Sequence, residues 1–232
     1  MTAFLPIIAL SLKVAFFALL WALPLGFMLG YVLATKRFFG RRLLSVLVMM
    51  PLVMPPVVTG LVLLYVFGPK GAFGSLLAPL GISFAFNAAG AALAAGLVAL
   101  PLIVRPIRLS FEHVSTDLDE ALAVAGLTPW QRFKMLYVPS ALPGVVAGGV
   151  LGFAKAMGEF GATITFVANI PGETQTISLA IHAALQAFDQ NDLVVWLCVA
   201  SLAISGLAIW GSEFLLSWLE KRLNGRRAVR HA

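Results

Sequence analysis

The sequence predicts an all-α integral membrane protein with five transmembrane helices, and three observations support this fold class. The chain has 232 residues, of which 60% are hydrophobic and only 11% are charged, whereas soluble globular proteins carry about 25% charged residues. Its mean hydropathy is +0.97. Several apolar stretches reach the roughly 20 residues that a helix needs to cross a bilayer. The length accommodates five such helices with short connections, and we expect no additional enzymatic domain.

Five apolar stretches are long enough to span, and two shorter ones are expected to lie beside the membrane. The spans are at about residues 5–34, 43–68, 84–107, 142–168 and 193–219. They form a predicted single transmembrane domain, 1–223, which a short basic cytoplasmic tail follows at 224–232. Residues 72–83 are too few to cross, which predicts an outside re-entrant or surface helix. Residues 176–188 carry apolar side chains at helical spacing, which predicts an amphipathic helix.

The basic residues predict that the N-terminus lies outside and the C-terminus lies in the cytoplasm. Thirteen of the sixteen Lys and Arg residues fall within three segments, 36–42, 105–134 and 221–230. With five spans these segments lie on one side, and basic residues concentrate on the cytoplasmic side of membranes. Membrane topology therefore accounts for the net charge of +6, and no nucleic-acid partner is expected. The first span is expected to stay in the mature protein, because basic residues follow it rather than precede it.

Prolines and glycines mark two of the predicted spans. The second span contains Pro51, Pro55 and Pro56. Such prolines are tolerated at membrane depth where the freed carbonyls face protein or a water-lined cavity, so they mark either a pathway element or an ordinary membrane helix. The fourth span contains glycines spaced by four at Gly144, Gly148 and Gly152. Such a stripe lets helices approach closely, and we favour packing within the chain over a subunit interface.

The fourth span also contains the charged residues that are predicted to lie deepest in the membrane. Lys155 and Glu159 are four residues apart, which places them on one face of a helix. Either they neutralise each other or a neighbouring helix, or Lys155 attracts an anion while Glu159 acts in a gate. Thr163 and Thr165 follow toward the outer end, where hydroxyl donors suit an oxyanion. These four residues are the candidate translocation path or gate.

The chemistry-bearing residues do not predict an enzyme. Cys198 is the only cysteine, which excludes an intrachain disulfide and a cysteine metal cluster. None of the three histidines, at positions 113, 182 and 231, is predicted to lie at membrane depth beside a serine, cysteine or acid at triad or metal-ligand spacing. The G-x-x-x-x-G-K-[ST] segment that binds nucleotide phosphates is absent from the sequence. We predict no catalytic residue, metal or cofactor, so any ATP hydrolysis would occur on a partner.

The longest polar stretch, residues 110–139, predicts two short cytoplasmic helices separated by a turn. Asp117 is the predicted cap of the first helix, and Gly126 is the predicted stop. Thr128 begins the second helix with the start signals Pro and Gln after it, and Pro139 is expected to end it. Apolar and aromatic faces without a catalytic cluster favour a partner-binding surface, and a loop packed on its own membrane domain is the alternative.

Within this stretch the pattern Glu-Ala, Gly and Leu-x-Val-Pro resembles the cytoplasmic EAA signature of binding-protein-dependent ABC importer permeases. The matching residues are Glu120, Ala121, Gly126, Leu136 and Pro139. Leu122 stands where the family has a second alanine. The resemblance implies that the helix pair docks into a groove of an ATPase subunit and couples hydrolysis to transport, and that these residues form the contact.

Two further segments, GEFGATITF at 158–166 and NIPGETQTI at 169–177, resemble the molybdate importer permeases of this family. The resemblance implies a type I ABC importer permease fold in a bacterial inner membrane. It also implies a homodimer of permease chains surrounded by membrane lipid, two ATP-binding cassette subunits and an external molybdate-binding protein. A sulfate or tungstate importer permease is the alternative within the family. A passive anion channel and an intramembrane enzyme are the alternatives from other classes.

Overall fold

The computed structural model describes residues 4–187 and 191–228, and every regular element in these ranges is a helix. Five helical segments in the described ranges are long and apolar enough to cross a membrane. They are Phe4–Thr35, Pro56–Leu80, Ala88–Glu112, Pro129–Met157 and Asn191–Phe214. The predicted all-helical fold with five spans is confirmed, whereas the orientation stays a prediction. Residues 229–232 of the predicted tail, and Phe188 of the predicted amphipathic helix, lie outside the described residues.

The helices are numbered in chain order. α1 covers Phe4–Thr35, α2 Arg41–Val53, α3 Pro56–Phe67, α4 Ala72–Leu77, α5 Ala88–Glu112 and α6 Thr116–Val124. α7 covers Pro129–Arg132, α8 Val138–Met157, α9 Gly161–Val167, α10 Ile177–Gln186 and α11 Asn191–Ala228. A 3₁₀ turn, Ala78–Leu80, extends α4, and a π-helical turn, Phe133–Tyr137, joins α7 to α8. α10 is the short helix that the sequence predicts at 176–188. α4 lies in the short segment 72–83, which the sequence predicts outside the spans, but the apolar segment Pro56–Leu80 includes it.

α5 lies at the centre of the bundle and packs against α1 on one side and α8 on the other. Ile103 of α5 fits between glycines of its two neighbours. A Cβ atom added at Gly26 of α1 would lie 2.6 Å from Ile103 Cγ2, and one added at Gly152 of α8 would lie 2.6 Å from Ile103 Cγ1. Gly144 and Gly148 also meet the backbone of α5. The glycine stripe of α8 therefore serves packing within the chain, as predicted.

The second predicted span, 43–68, is two helices rather than one. α2 ends at Val53 and α3 begins at Pro56, with Met54 in an extended conformation between them. Pro55 disfavours the helical conformation at the residue before it, and neither proline supplies an N–H for helical hydrogen bonds. The break therefore follows from the Pro55–Pro56 pair.

The fourth predicted span, 142–168, is also interrupted. α8 ends at Met157 and α9 begins at Gly161. The expectation that Lys155 and Glu159 lie on one continuous helix is therefore wrong, since Glu159 lies in the break. The glycine at each end of the break has low helix propensity, and the carboxylate between them hydrogen-bonds to the start of α9, as described below.

At its N-terminal end, α8 continues into α7 without a stop, so the expectation that Pro139 ends the helix is wrong. The backbone N–H of Val138 donates to the carbonyl of Phe133, five residues earlier, which makes this turn wider than an α-helical one. Pro139 follows directly in α8, and the wide turn before it accommodates a residue that cannot donate an N–H to the preceding turn. The span thus extends from Pro129 to Met157.

The caps of α6 and α7 differ in how well the sequence predicts them. Ser115 caps α6 by accepting the N–H three residues later at 3.3 Å, so the prediction of Asp117 is wrong; Asp117 lies in the first turn. Gly126 ends α6 with φ at +85°, as predicted. α7 begins with the predicted capping box, in which Thr128 and Gln131 each accept the backbone N–H of the other.

Candidate functional site

The helix pair α6–α7 presents an exposed surface that carries most of the residues matched to the EAA signature. Glu120, Ala121 and Gly126 are exposed, and a Cβ atom added at Gly126 would have no neighbour within 4 Å. Leu136 and Pro139 are half-buried where the pair joins α8. Four large apolar side chains near these positions are also exposed: Leu118, Val124, Trp130 and Met135. A surface of this composition is typical of a protein-binding site.

An ion pair and a backbone contact hold α6 to α7. Arg132 Nη1 lies 2.8 Å from Asp119 Oδ2 and donates to the Asp119 carbonyl at 3.4 Å. Both side chains are only about a quarter exposed, at 21% and 25%, so the pair is screened less than a surface ion pair. Trp130 stacks on Phe133 at 5.5 Å, and Lys134 Nζ lies 4.7 Å from the centre of the Trp130 ring. The Asp119–Arg132 contacts join α6 to α7, and the contacts of Trp130 join α7 to the turn that follows it.

An aromatic cluster connects this helix pair to the membrane helices. Tyr31 of α1 lies at its centre, with ring centroids 5.1 Å from Phe133, 5.4 Å from Phe111 and 5.6 Å from Tyr137. Phe27, one turn earlier on α1, lies 5.3 Å from Phe111 of α5. All four contacts are edge-to-face, the geometry that aromatic rings prefer. The π-helical turn that follows α7 is therefore packed against α1 through Tyr31 and against α5 through Phe111.

The helix pair is also continuous with the deepest part of the bundle. The segment from Pro129 to Met157 has 29 residues, which corresponds to about 43 Å of helix. Its C-terminal end carries Lys155, and the break that contains Glu159 follows directly. One continuous helical segment therefore connects the exposed α6–α7 surface with the candidate gate.

Lys155 and Glu159 form the predicted ion pair. Lys155 Nζ lies 3.2 Å from Glu159 Oε2, with side chains that are 33% and 2% exposed. The second carboxylate oxygen, Oε1, accepts the backbone N–H of Ala162 at 3.0 Å. Glu159 therefore both neutralises the lysine and satisfies a free amide in the first turn of α9. Removing this carboxylate would release both the lysine and the start of α9.

The two helix breaks lie side by side next to this ion pair. A Cβ atom added at Gly161, where α9 begins, would lie 2.8 Å from Cβ of Pro56, where α3 begins. One turn further, a Cβ atom at Gly60 would lie 2.8 Å from Cβ of Thr165 and would collide with the carbonyl of Ala162. Broken membrane helices that meet in this way are typical of substrate sites in transporters.

The predicted threonines lie at this junction but do not face an open path. Thr163 is only 1% exposed. Thr165 is half-buried, and its hydroxyl donates to the carbonyl of Gly161 at 2.8 Å. The sequence analysis missed Thr59, which is 4% exposed and whose hydroxyl has no hydrogen-bond partner among the described residues. The neighbouring Pro55–Pro56 pair is the sequence feature that could have indicated Thr59.

The described residues show no arrangement that suggests catalysis or metal binding. No group of three or more His, Cys, Asp or Glu residues within 4–187 and 191–228 is placed to hold a metal ion. His182 contacts the amide of Gln186 at 3.0 Å and packs against Phe160, with 4.8 Å between ring centroids. Cys198 is exposed on α11.

Comparisons with known proteins match nearly the whole chain. A family described as "Binding-protein-dependent transport system inner membrane component" matches residues 22–227. The chain is 44% identical over 217 residues to the molybdenum transport system permease protein ModB of Haemophilus influenzae, covering 93% of this chain and 95% of the relative. It is 34% identical over 224 residues to the sulfate transport system permease protein CysT of Escherichia coli, covering 95% of this chain and 78% of the relative.

Solved structures share the fold at low sequence identity. A bacterial ABC transporter involved in the import of the acidic polysaccharide alginate aligns with a TM-score of 0.75 at 15% identity, covering 94% of this chain and 80% of that chain. The MetNI methionine ABC transporter, in inward-facing conformations, aligns with a TM-score of 0.64 at 17% identity, covering 94% of both chains. The arrangement of helices described above is therefore shared with chains of these transporters.

Proposed function

Because the chain belongs to the family of binding-protein-dependent transport system inner membrane components, we propose that it is the permease subunit of an ATP-driven molybdate importer. We choose molybdate because the chain is 44% identical to a molybdenum permease over nearly the full length of both chains. The 34% identity to a sulfate permease makes sulfate the second candidate. Tungstate has nearly the size and the same charge as molybdate, so the permease is expected to accept both.

The proposed complex contains two copies of this chain, two ATP-binding cassette subunits and an external molybdate-binding protein, in a bacterial inner membrane. The chain supplies the membrane path, and the cassette subunits supply the energy. The exposed α6–α7 surface is the proposed docking site for the cassette subunit, with Glu120, Ala121 and Gly126 in contact and Leu136 and Pro139 supporting them. Its exposed apolar side chains support this role, since burying them against a partner is favourable.

The contacts within the chain suggest how closure of the ATPase pair reaches the membrane. A force on α6 passes to α7 through the Asp119–Arg132 ion pair. From there it reaches α1 and α5 through the cluster around Tyr31 and reaches the helix breaks through α8. Rigid elements joined at a few packed contacts convert a local displacement into a switch between two arrangements. The proposed outcome is alternate opening of the path to the outside and to the cytoplasm.

The proposed gate consists of Lys155 and Glu159, with Thr163 and Thr165 behind them. In the described conformation Glu159 holds the lysine, which leaves no unpaired positive charge for an anion at this position. Separation of α9 from α3 would expose the two threonines and disturb the Glu159 contact to α9. Lys155 would then be free to attract the oxyanion, and hydroxyl donors would bind it without the strong retention of a second cation.

Gly126→Trp tests the docking site, and Gly81→Trp is its matched control. Both glycines end a helix with positive φ, +85° and +72°, and a Cβ atom at either would have no neighbour within 4 Å. The intrinsic backbone cost is therefore similar for both variants. Gly126→Trp should lose co-purification with the co-expressed cassette subunit, and Gly81→Trp should keep it. Retention of the ATPase by both variants would contradict the docking site.

The anion is tested by ATPase stimulation of the reconstituted complex. A binding protein loaded with molybdate or tungstate should raise the hydrolysis rate, and the same concentration of sulfate-loaded binding protein should not. Stimulation by sulfate alone would make the chain a sulfate permease. Anion flux through the chain without the ATPase would instead indicate a passive channel, and it would contradict the importer proposal as a whole.

A further inference from the structure

A strongly basic cavity lies where α1 turns into α2, apart from the proposed gate. Its volume is about 590 Å³, and its lining includes Arg37, Arg41, Arg42, Arg108 and Ser45. The lining contains no acidic residue. An adjoining cavity of about 570 Å³ shares Ser45 and Arg108 and extends along α5. Its lining adds a fifth arginine, Arg105, and Glu112, the partner of Arg108. Such a concentration of arginines is a candidate anion site.

Two of these arginines are held in place by hydrogen bonds. Arg41 Nε donates to the carbonyl of Leu33, at the end of α1, at 2.9 Å. Arg108 Nε pairs with Glu112 at 2.8 Å, and its Nη1 donates to Ser45 at 3.3 Å. These bonds fix the positions of the guanidinium groups before any ligand binds, which lowers the entropy lost on binding.

The remaining charge of the cavity is not neutralised by the described side chains. Arg37 and Arg42 are exposed and form no ion pair with any described carboxylate. α2 begins at the cavity wall with Gly40 as its N-cap, without a side-chain cap and without an acidic residue in its first turn. The positive end of the helix dipole therefore adds to the arginines.

The surroundings of the cavity match a lipid better than a free anion. Phe38 and Phe39 lie in its wall and are exposed, Phe39 completely. Leu43, Val46 and Leu47 are exposed along α2, which leads away from the cavity toward the predicted membrane interior. Aromatic side chains favour the membrane interface, and basic pockets between membrane helices on the cytoplasmic side bind acidic head groups. A soluble oxyanion would need the arginines but not the apolar rim.

We infer that this cavity binds the phosphate of an anionic phospholipid, with the acyl chains along the exposed apolar face of α2. The arginines suit a phosphate because their planar groups bind its oxygens in pairs. The site does not depend on which anion the chain transports. Its occupant is a structural lipid of the inner leaflet, next to the hairpin that leads into the Pro55–Pro56 break.

The test compares Arg37→Gln and Arg42→Gln with Lys36→Gln, which removes the same charge from the same loop but does not line the cavity. The purified complex is titrated with short-chain phosphatidylglycerol and, separately, phosphatidylcholine. The salt is about 0.5 M, where the Debye length is about 4 Å and diffuse attraction is screened. We expect wild type to prefer phosphatidylglycerol by at least about tenfold. Each arginine variant should weaken this binding about fivefold, and Lys36→Gln by less than about twofold.

Three outcomes would overturn the inference. Equal losses for Lys36→Gln and Arg42→Gln would show a diffuse charge effect rather than a site. Displacement of phosphatidylglycerol by millimolar inorganic phosphate or molybdate would assign the cavity to a soluble oxyanion. Loss of the permease dimer in the arginine variants, with unchanged phosphatidylglycerol affinity, would assign this face to the second copy of the chain. Retained co-purification with the cassette subunit verifies that each variant is folded.

Discussion

Neutralising the ion pair at the helix break separates its structural role from its role in transport. The perturbation is a double-mutant cycle of Lys155→Met, Glu159→Gln and the two together. Glutamine keeps an oxygen that can accept the Ala162 N–H, so Glu159→Gln removes the charge and retains the contact to α9. Methionine keeps the length and apolar stem of the lysine. Each single variant leaves one charge without its partner, and the double variant leaves none.

The magnitude follows from the exposure of the two groups. Breaking a fully buried pair costs about 3–5 kcal/mol, and breaking a surface pair costs about 0–1 kcal/mol. In Glu159→Gln the unpaired lysine is 33% exposed, so we expect a loss of about 2 kcal/mol in the free energy of unfolding. In Lys155→Met the unpaired carboxylate is only 2% exposed, so we expect about 3 kcal/mol. The double variant should lie within about 1 kcal/mol of wild type.

The assay is thermal unfolding of the purified complex, followed by transport in vesicles. At about 2–4 °C per kcal/mol for a chain of this size, Glu159→Gln should lower Tm by about 4–8 °C and Lys155→Met by about 6–12 °C. The double variant should recover most of this loss and yet transport at least about tenfold more slowly, because the lysine is absent. Wild-type transport by the double variant would refute the gate assignment. Wild-type stability of both single variants would refute the reasoning from burial.

Two further predictions concern packing and backbone strain. Gly148→Ala should destabilise the chain by about 1–3 kcal/mol, because its Cβ atom would lie 2.8 Å from the Ile103 carbonyl oxygen. Gly149→Ala is the control: the nearest atom to its Cβ would lie at 3.9 Å. Alanine at this position should stabilise the chain by up to about 1 kcal/mol. Equal Tm values for the two variants would contradict the packing of α8 on α5. Ala168 has φ +61° and ψ −171°, a region nearly restricted to glycine. Ala168→Gly should therefore raise Tm by about 2–4 °C, and a lower Tm would contradict the strain.

The parts of the fold that hydropathy and local spacing determine could be predicted from the sequence. The five spans follow from apolar length, and the capping box of α7 follows from Thr128 and Gln131 alone. A close helix contact on the glycine face of α8 follows from the small residues there, whereas the identity of its partner, α5, comes from the structure. These features depend on one segment and its immediate neighbours.

The parts that depend on distant contacts or on backbone detail could not be predicted in this way. The four-residue spacing of Lys155 and Glu159 predicts their ion pair correctly. It does not reveal that Glu159 lies between two helices and that its carboxylate accepts the N–H of Ala162 in α9. Pro139 is a helix breaker in isolation, and the π-helical turn before it allows the helix to continue. The junction of Pro56 with Gly161 joins two segments about a hundred residues apart, which periodicity cannot detect.

The candidate gate is therefore better defined by the structure than by the sequence. Lys155 and Glu159 were recognised as charges in an apolar span, and the structure adds their position beside two meeting helix breaks. Thr59 and Gly60 belong to the same junction although the sequence alone did not single them out. The resemblance to the EAA signature indicates the proposed coupling surface, and the structure adds the aromatic cluster and the continuous helix that lead from it toward the candidate gate.

The central claim is that this chain forms the membrane path of an ATP-driven molybdate importer. The most direct test is uptake of radiolabelled molybdate by vesicles that contain the permease and its cassette subunits, with ATP on the cassette side and loaded binding protein on the other. The account predicts accumulation that requires ATP, both partners and an intact α6–α7 surface. Molybdate entry that is independent of ATP and of the cassette subunits, or no molybdate uptake by a complex that accumulates another anion, would contradict it.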